Sequence, residues 1–291
     1  MSAQRRATLG DVPVGDGLPV VLMGALNVSP ESFYPGSVFP AVEDLLGAAL
    51  AMVDAGAALI DVGARSTAPY RSTEISEDEE ARRLGEALDT LVPKLPVTVS
   101  ADTMRPGPAR VALEAGARVL NDVGAGTEPA LATLAAQHGA SLIIMASPRP
   151  AETAPPPTAP GPAPLESVRG CLAEGLARAR SAGVPADRIV LDPGIGFFRG
   201  GRVDWVTWDV EVLNGLKGLA GLGRPLCVGV SRKSFLGAIT GREAPGERLP
   251  ASLAATTVAV LNGAAVIRTH DVAATRDAVR VAERVLERGR S

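Results

Sequence analysis

The chain has 291 residues, close to the roughly 250 that one barrel of alternating strands and helices requires. With 46% hydrophobic but only 3% aromatic residues, its core must be built from Ala, Val, Leu and Ile, as in helix-on-sheet layers. A formal charge of −3 removes the electrostatic argument for nucleic acid or an anionic membrane surface as main partner. Cys171 and Cys227 stand far apart without a paired motif, no apolar run approaches the roughly 18 residues of a membrane span, and residues 1–19 lack a stretch of signal-peptide type. The expectation is a reducing, cytoplasmic compartment and one domain over residues 1–291.

Residues 1–19 read as an N-terminal arm. From there, apolar runs of strand length alternate with segments of helical period. The first four pairs are 20–26 with 41–55, 58–62 with 76–92, 97–101 with 106–115, and 118–120 with 129–138. The next four are 141–145 with 165–182, 188–191 with 205–222, 225–230 with 250–262, and 265–267 with 273–288. Strict alternation implies parallel strands with right-handed crossovers, and eight units are the number that closes a (β/α)8 TIM barrel of the α/β class. Ser76 followed by Glu77, Asp78 and Glu79 marks a helix start, where backbone donors favour acids. Residues 146–164 form a proline-rich loop on the active-site side of the barrel, with eight prolines between 148 and 164.

Nearly every apolar run ends in one polar residue: Asn27, Asp61, Asp102, Asn121, Asp192, Lys233 and the pair Arg268/His270. In a parallel barrel all strand ends of one polarity open on one face, so these side chains converge. The strongest local motif runs from Leu191 to Phe198, a carboxylate emerging from a strand into Pro193, Gly194 and Gly196. Two carboxylates, an amide and a lysine (Asp102, Asn121, Asp192, Lys233) match a flat heterocycle with amide and amidine edges. Arg268 is suited to bidentate phosphate contacts, and Asn27 to supplying one oxygen to Mg²⁺ on a diphosphate. For single residues the structural alternative stays open: Asp192 closing its own turn, Asn27 fixing its own loop. No third glycine completes a dinucleotide fingerprint, no Walker loop exists, and no Cys or His pattern suggests zinc. His138 reads as a helix-end residue, and Trp205 and Trp208 as packing.

The blocks 23–33, 60–69, 100–103, 121–122, 191–197, 229–237 and 268–272 together resemble the dihydropteroate synthase family along nearly the whole chain. The resemblance implies a pterin deep in the barrel, a diphosphate at its rim and homodimers formed through barrel helices. It assigns Asp102, Asn121, Asp192 and Lys233 to the pterin, and Asn27, Thr67, Arg268 and His270 to the diphosphate. Mg²⁺ falls to Asn27, and the aryl amine to Ser231, Lys233 and Pro69. The implied reaction is loss of diphosphate from the pterin methylene and attack by the amine of 4-aminobenzoate, with Lys233, Arg268 and His270 as its catalytic groups.

Three loops depart from the family pattern. The usual Glu-Ser-Thr-Arg-Pro-Gly reads Arg65-Ser66-Thr67-Ala68-Pro69-Tyr70, the usual Ser-Asp-Gly reads Tyr34-Pro35-Gly36, and Met-His-Met reads Met145-Ala146-Ser147. Arg65 and Arg71 are the candidates to replace the guanidinium lost at Ala68. Two other readings share the pocket: a pterin-dependent methyltransferase, for which diphosphate ligands are dispensable, and a non-catalytic pterin-binding paralogue.

Overall fold

A computed structural model describes residues 4–28, 42–65, 75–148, 163–199 and 204–288. Eight parallel strands close into a barrel: β3 (Val21–Asn27), β4 (Leu59–Gly63), β5 (Thr98–Asp102), β6 (Val119–Asp122), β7 (Ser141–Met145), β8 (Ile189–Asp192), β9 (Leu226–Val228) and β10 (Ala264–Thr269). Each lies beside its sequence neighbour, and β10 returns to β3. The eight strand-then-helix units expected from the alternation are all present. Helices α1 (Val42–Asp54), α2 (Glu77–Leu91), α3 (Pro106–Glu114), α4 (Pro129–Gln137), α5 (Pro164–Ser181), α6 (Trp205–Gly215), α7 (Ser234–Thr240), α8 (Leu249–Leu261) and α9 (Val272–Arg288) surround them. Among the described residues no helix is long and apolar enough to cross a membrane.

Side chains alternate across each strand with period two. Leu22, Leu26, Ile60, Val62, Leu120, Leu142, Ile144, Ile189 and Leu191 face the helices and build the main core with Leu84, Leu88, Leu131 and Leu172. The opposite set faces the barrel axis. At the lower end that set is apolar: Met23, Leu59, Val119, Ile143, Val190, Cys227 and Val266 form a second core. Toward the strand C-termini it turns polar, so one barrel has a dry floor and a wet mouth.

Within the arm of residues 1–19 lies an element that the alternation does not show. β1 (Arg6–Leu9) and β2 (Val12–Gly15) form an antiparallel hairpin whose Ala7, Leu9 and Val14 join the lower core and seal it. The Ser141 hydroxyl staples the hairpin down, accepting from Gly10 N–H at 3.0 Å and donating to the Thr8 carbonyl at 2.6 Å. Gly10 has φ +59°, and a Cβ there would lie 2.6 Å from Thr98 Cγ2, so this turn requires glycine. The segment 205–222 also differs from one continuous helix. It tightens to a 3₁₀ turn over Leu216–Leu222, where Gly218 packs so closely on Leu165 that a Cβ would lie 2.8 Å from its Cδ2.

Candidate active site at the barrel mouth

Strand register fixes the arrangement of the polar ends. Gly63 lies opposite both Asn27 and Asp102, and Asp102 opposite Asn121, so four adjacent strands present inward positions at one level. One inward step below Gly63 sits Asp61, fully buried. Its Oδ2 accepts from Arg268 Nε at 2.6 Å and from Asn121 Nδ2 at 3.0 Å. Arg268 reaches Asp102 as well, donating from Nη2 to Oδ2 at 2.9 Å. β4, β5, β6 and β10 therefore meet in one charge-assisted network. The remaining oxygen of each carboxylate, Oδ1 of Asp61 and of Asp102, is buried without a hydrogen-bond partner.

Asp192 ends β8. Its Oδ1 accepts from Gly194 N–H at 2.8 Å, closing its own turn as the structural alternative had it, while Lys233, Arg268 and Asp61 act on its charge. Gly194 has φ +68°, and a Cβ there would lie 1.9 Å from the Ala146 carbonyl oxygen, which makes the turn glycine-specific. Lys233 crosses over the same loop: its Nζ donates to the Ile195 carbonyl and lies 4.6 Å from the Phe197 ring centroid. Arg232, at φ 56°, turns the chain between Ser231 and Lys233. Its guanidinium is clamped by Asp271 at 2.8 and 2.6 Å and by the carbonyls of Pro245 and Gly246, both at 2.9 Å. His270 lies against Ser231, ring Nδ1 to Oγ at 3.0 Å.

Burial dominates the electrostatics. It pushes Asp102 up to about 7, with Arg268 opposing and Asp61 and Glu80 assisting, so this carboxyl holds its proton nearly to neutrality. Asp192 is raised by burial against the pull of Lys233. Lys233 is lowered to about 8, and His270 to about 3, by burial and, for the imidazole, by Arg268, Arg232 and Lys233. His270 is thus held as a neutral imidazole in the site without ligand.

Asn27, Asp102, Asn121, Asp192, Ser231, Lys233, Arg268 and His270 all end on this face. Thr67, Pro69 and Arg71 lie outside the described residues. Arg65 is held at the mouth by buried Glu80, Nε to Oε2 at 3.3 Å, and Glu80 also takes Arg105 Nη1 at 3.1 Å and the Thr103 hydroxyl at 2.6 Å. Trp208 stacks on Phe198 with centroids 4.8 Å apart, and Trp205 lies under the Arg199 guanidinium, both as packing. Sequence reading noted Asp61 as a strand end but gave it no site role, although a carboxylate inside a buried run was a usable signal. It did not identify Asp209 on α6 or Glu80 on α2, because an acid on an amphipathic helix resembles a solvated face.

Metal fit follows from the donors. Among the described residues no group of three or more His, Cys, Asp and Glu could hold a metal. The Asn27 amide oxygen lies at the rim, 3.4 Å from where a Gly63 Cβ would be. One neutral oxygen at the strand end suits Mg²⁺ held mainly by phosphate and water, and not a protein-caged ion.

Comparison with known proteins identifies the family of this barrel. Residues 23–270 match the model of the pterin binding enzyme family. The chain is 34% identical to the dihydropteroate synthase of Escherichia coli K12 over 268 residues, 91% of either chain. It is 36% identical to that of Synechocystis sp. over 278 residues, 94% of either. A probable bifunctional folylpolyglutamate synthase/dihydropteroate synthase of Haloferax volcanii is 39% identical over 272 residues, 94% of this chain but 31% of that longer protein. Among solved structures, Xanthomonas albilineans dihydropteroate synthase with 4-aminobenzoic acid gives a TM-score of 0.83 at 33% identity, covering 98% of this chain and 99% of that one. Burkholderia cenocepacia dihydropteroate synthase complexed with 7,8-dihydropteroate gives 0.83 at 34%, covering 99% of each. On this barrel and these matches, the chain belongs to the dihydropteroate synthase family of pterin-binding enzymes, transferases of alkyl and aryl groups.

Proposed function

We propose that this chain joins 6-hydroxymethyl-7,8-dihydropterin diphosphate to 4-aminobenzoate or a related aryl amine and releases diphosphate. The observation that carries the reading is the carboxylate pair Asp61 and Asp102, each keeping a buried oxygen without a donor inside the barrel. Such groups are costly unless a ligand supplies N–H donors, which the amide and amidine edge of a pterin does. Asn121, Asp192 and Lys233 orient the remaining ring edges. Ring donors replace Arg268 on Asp102, and the freed guanidinium turns to the phosphoryl oxygens.

In the reaction the methylene C–O bond breaks, its electron pair leaving with the diphosphate; the amine nitrogen then forms the C–N bond and loses a proton to solvent. Arg268 opposes the charge that grows on the leaving group, and His270 hydrogen-bonds it. The carboxylates around the ring steady the cationic carbon. Ser231 and Lys233 border the path of the amine; Thr67 serves the diphosphate and Pro69 the aryl ring. Asn27 would give its amide oxygen to a Mg²⁺ ion shared with the diphosphate, which when bound would further neutralise the leaving charge.

A cytoplasmic homodimer is part of the same reading. Its support is two buried cysteines outside any disulfide and the exposed apolar side chains Val258 on α8 and Val281 and Val285 on α9. The test is diphosphate release from the pterin diphosphate with Mg²⁺ and a panel of aryl amines; no release with any of them overturns the proposal. Arg268→Ala is expected to lower turnover by about 100-fold or more. A pterin-dependent methyltransferase would be indifferent to diphosphate ligands.

A further inference from the structure

Behind the pocket wall lies a second polar network that the reaction above does not use. Asp209, on α6, is fully buried. Its Oδ1 accepts from Gly196 N–H at 2.7 Å and its Oδ2 from Arg199 Nη1 at 3.1 Å. Arg199 continues to the Ser234 hydroxyl at 2.9 Å, next to Lys233 at the start of α7. The peptide unit joining Ile195 to Gly196 is thus held on both edges: its N–H by Asp209, its carbonyl by Lys233 Nζ. A trans peptide points these two groups in opposite directions, so fixing one aims the other. Gly196, at φ +91°, leaves room for the lysine stem, since a Cβ there would lie 2.5 Å from Lys233 Cδ.

We propose that Asp209 is a positioning residue for Lys233: it anchors the Ile195–Gly196 peptide plane from behind so that the carbonyl on its other edge holds the ammonium at the pocket wall. The inference rests on the reading of Lys233 as a pterin contact. The charges acting on Lys233 are Asp192 and Asp209, which favour its protonated form, and Arg268 and Arg199, which oppose it. Asp209 therefore acts on the lysine chiefly through the peptide plane that it anchors, its charge adding only to that of Asp192.

The chain contains three lysines, Lys94, Lys217 and Lys233, so ¹³C-lysine labelling gives three Cε–Hε correlations, assigned with Lys94→Arg and Lys217→Arg. In Asp209→Val the Lys233 correlation is expected to move toward those of the other two, and affinity for 6-hydroxymethylpterin to fall about tenfold, as for loss of one hydrogen bond to a charged group. Asp209→Asn keeps an acceptor for Gly196 N–H and is expected to retain both the correlation and the affinity within about threefold. The proposal is overturned if Asp209→Val lowers thermal stability while the Lys233 correlation stays in place, or if the Asn and Val variants behave alike. Should the Val variant not fold, Asp209→Glu keeps the charge but displaces the acceptor by one methylene, and an unmoved Lys233 correlation then overturns it. Failure of the wild-type chain to bind pterin refutes the functional reading alone, because the Lys233 correlation needs no ligand.

Discussion

Removing Arg268 tests the central electrostatic claim without any substrate. In Arg268→Ala two charge-assisted hydrogen bonds, 2.6 Å to Asp61 and 2.9 Å to Asp102, are lost, and Asp61, with no solvent exposure, is left with the Asn121 amide as its side-chain donor. Breaking a buried pair in this way costs about 3–5 kcal/mol. The penalty depends on pH in a calculable direction. Arg268 pulls the Asp102 carboxyl down from the value burial alone would give, yet it still stands at about 7; without the guanidinium it rises further. A carboxyl held above its unfolded value of 3.8 binds a proton in the native state that the unfolded chain has already released. Stability from this group is therefore present at low pH and lost as pH rises through the folded pKa. The variant deficit is accordingly larger at pH 8 than at pH 6, shrinking by up to about 1.4 kcal/mol per pH unit on acidification down to about pH 7, below which both proteins gain alike. Urea unfolding followed by the fluorescence of Trp205 and Trp208, at pH 8 and pH 6, measures both quantities. A variant as stable as the wild type at pH 8, or a deficit that does not narrow at pH 6, refutes the reasoning.

Two further outcomes follow from the same site. A methyl group at Gly63 would meet Asn27 Oδ1 at 3.4 Å and Asp102 Cβ and Oδ2 at 3.6 Å, ordinary contacts that leave the fold intact. Gly63→Ala should thus keep its melting temperature while pterin affinity, measured by calorimetry, falls about tenfold because the new methyl occupies ligand space. For His270 the native imidazole refuses a proton until about pH 3, whereas the unfolded one takes it near 6.5. Wild-type stability should therefore decline as pH drops through that window and His270→Asn should flatten the decline; parallel unfolding profiles for the two proteins would count against a buried neutral imidazole.

Much of the architecture was legible because the barrel imposes a simple rule on every strand, with one face to the helices, one to the axis and a polar residue where the axis opens. Asp102, Asn121, Asp192 and Arg268 stood out as polar ends of apolar runs, and the register places them at one mouth. The β1–β2 hairpin was not legible, since Ala7, Leu9 and Val14 make no apolar run and are buried only by a floor contributed from most of the barrel strands. The short helix α7 lies between the runs 225–230 and 250–262, and its 7 residues, ended by Gly241, carry little periodicity. Asp209 was hidden for another reason. Its partners are a backbone N–H and an arginine ten residues earlier, a pairing that exists only after the loop following β8 folds back on α6.

The circular sheet has a consequence for how the chain comes off the ribosome. The first barrel strand, β3, and the penultimate one, β9, both take β10 as neighbour, and β10 is the last strand made. Until it emerges, two rows of unpaired backbone donors and acceptors face outward, and pairing of β3 with β10 must wait until the whole barrel has been made. A product terminated before residue 264 would not be a weakened enzyme. It would be an open ribbon with two adhesive borders, matched to other copies of itself.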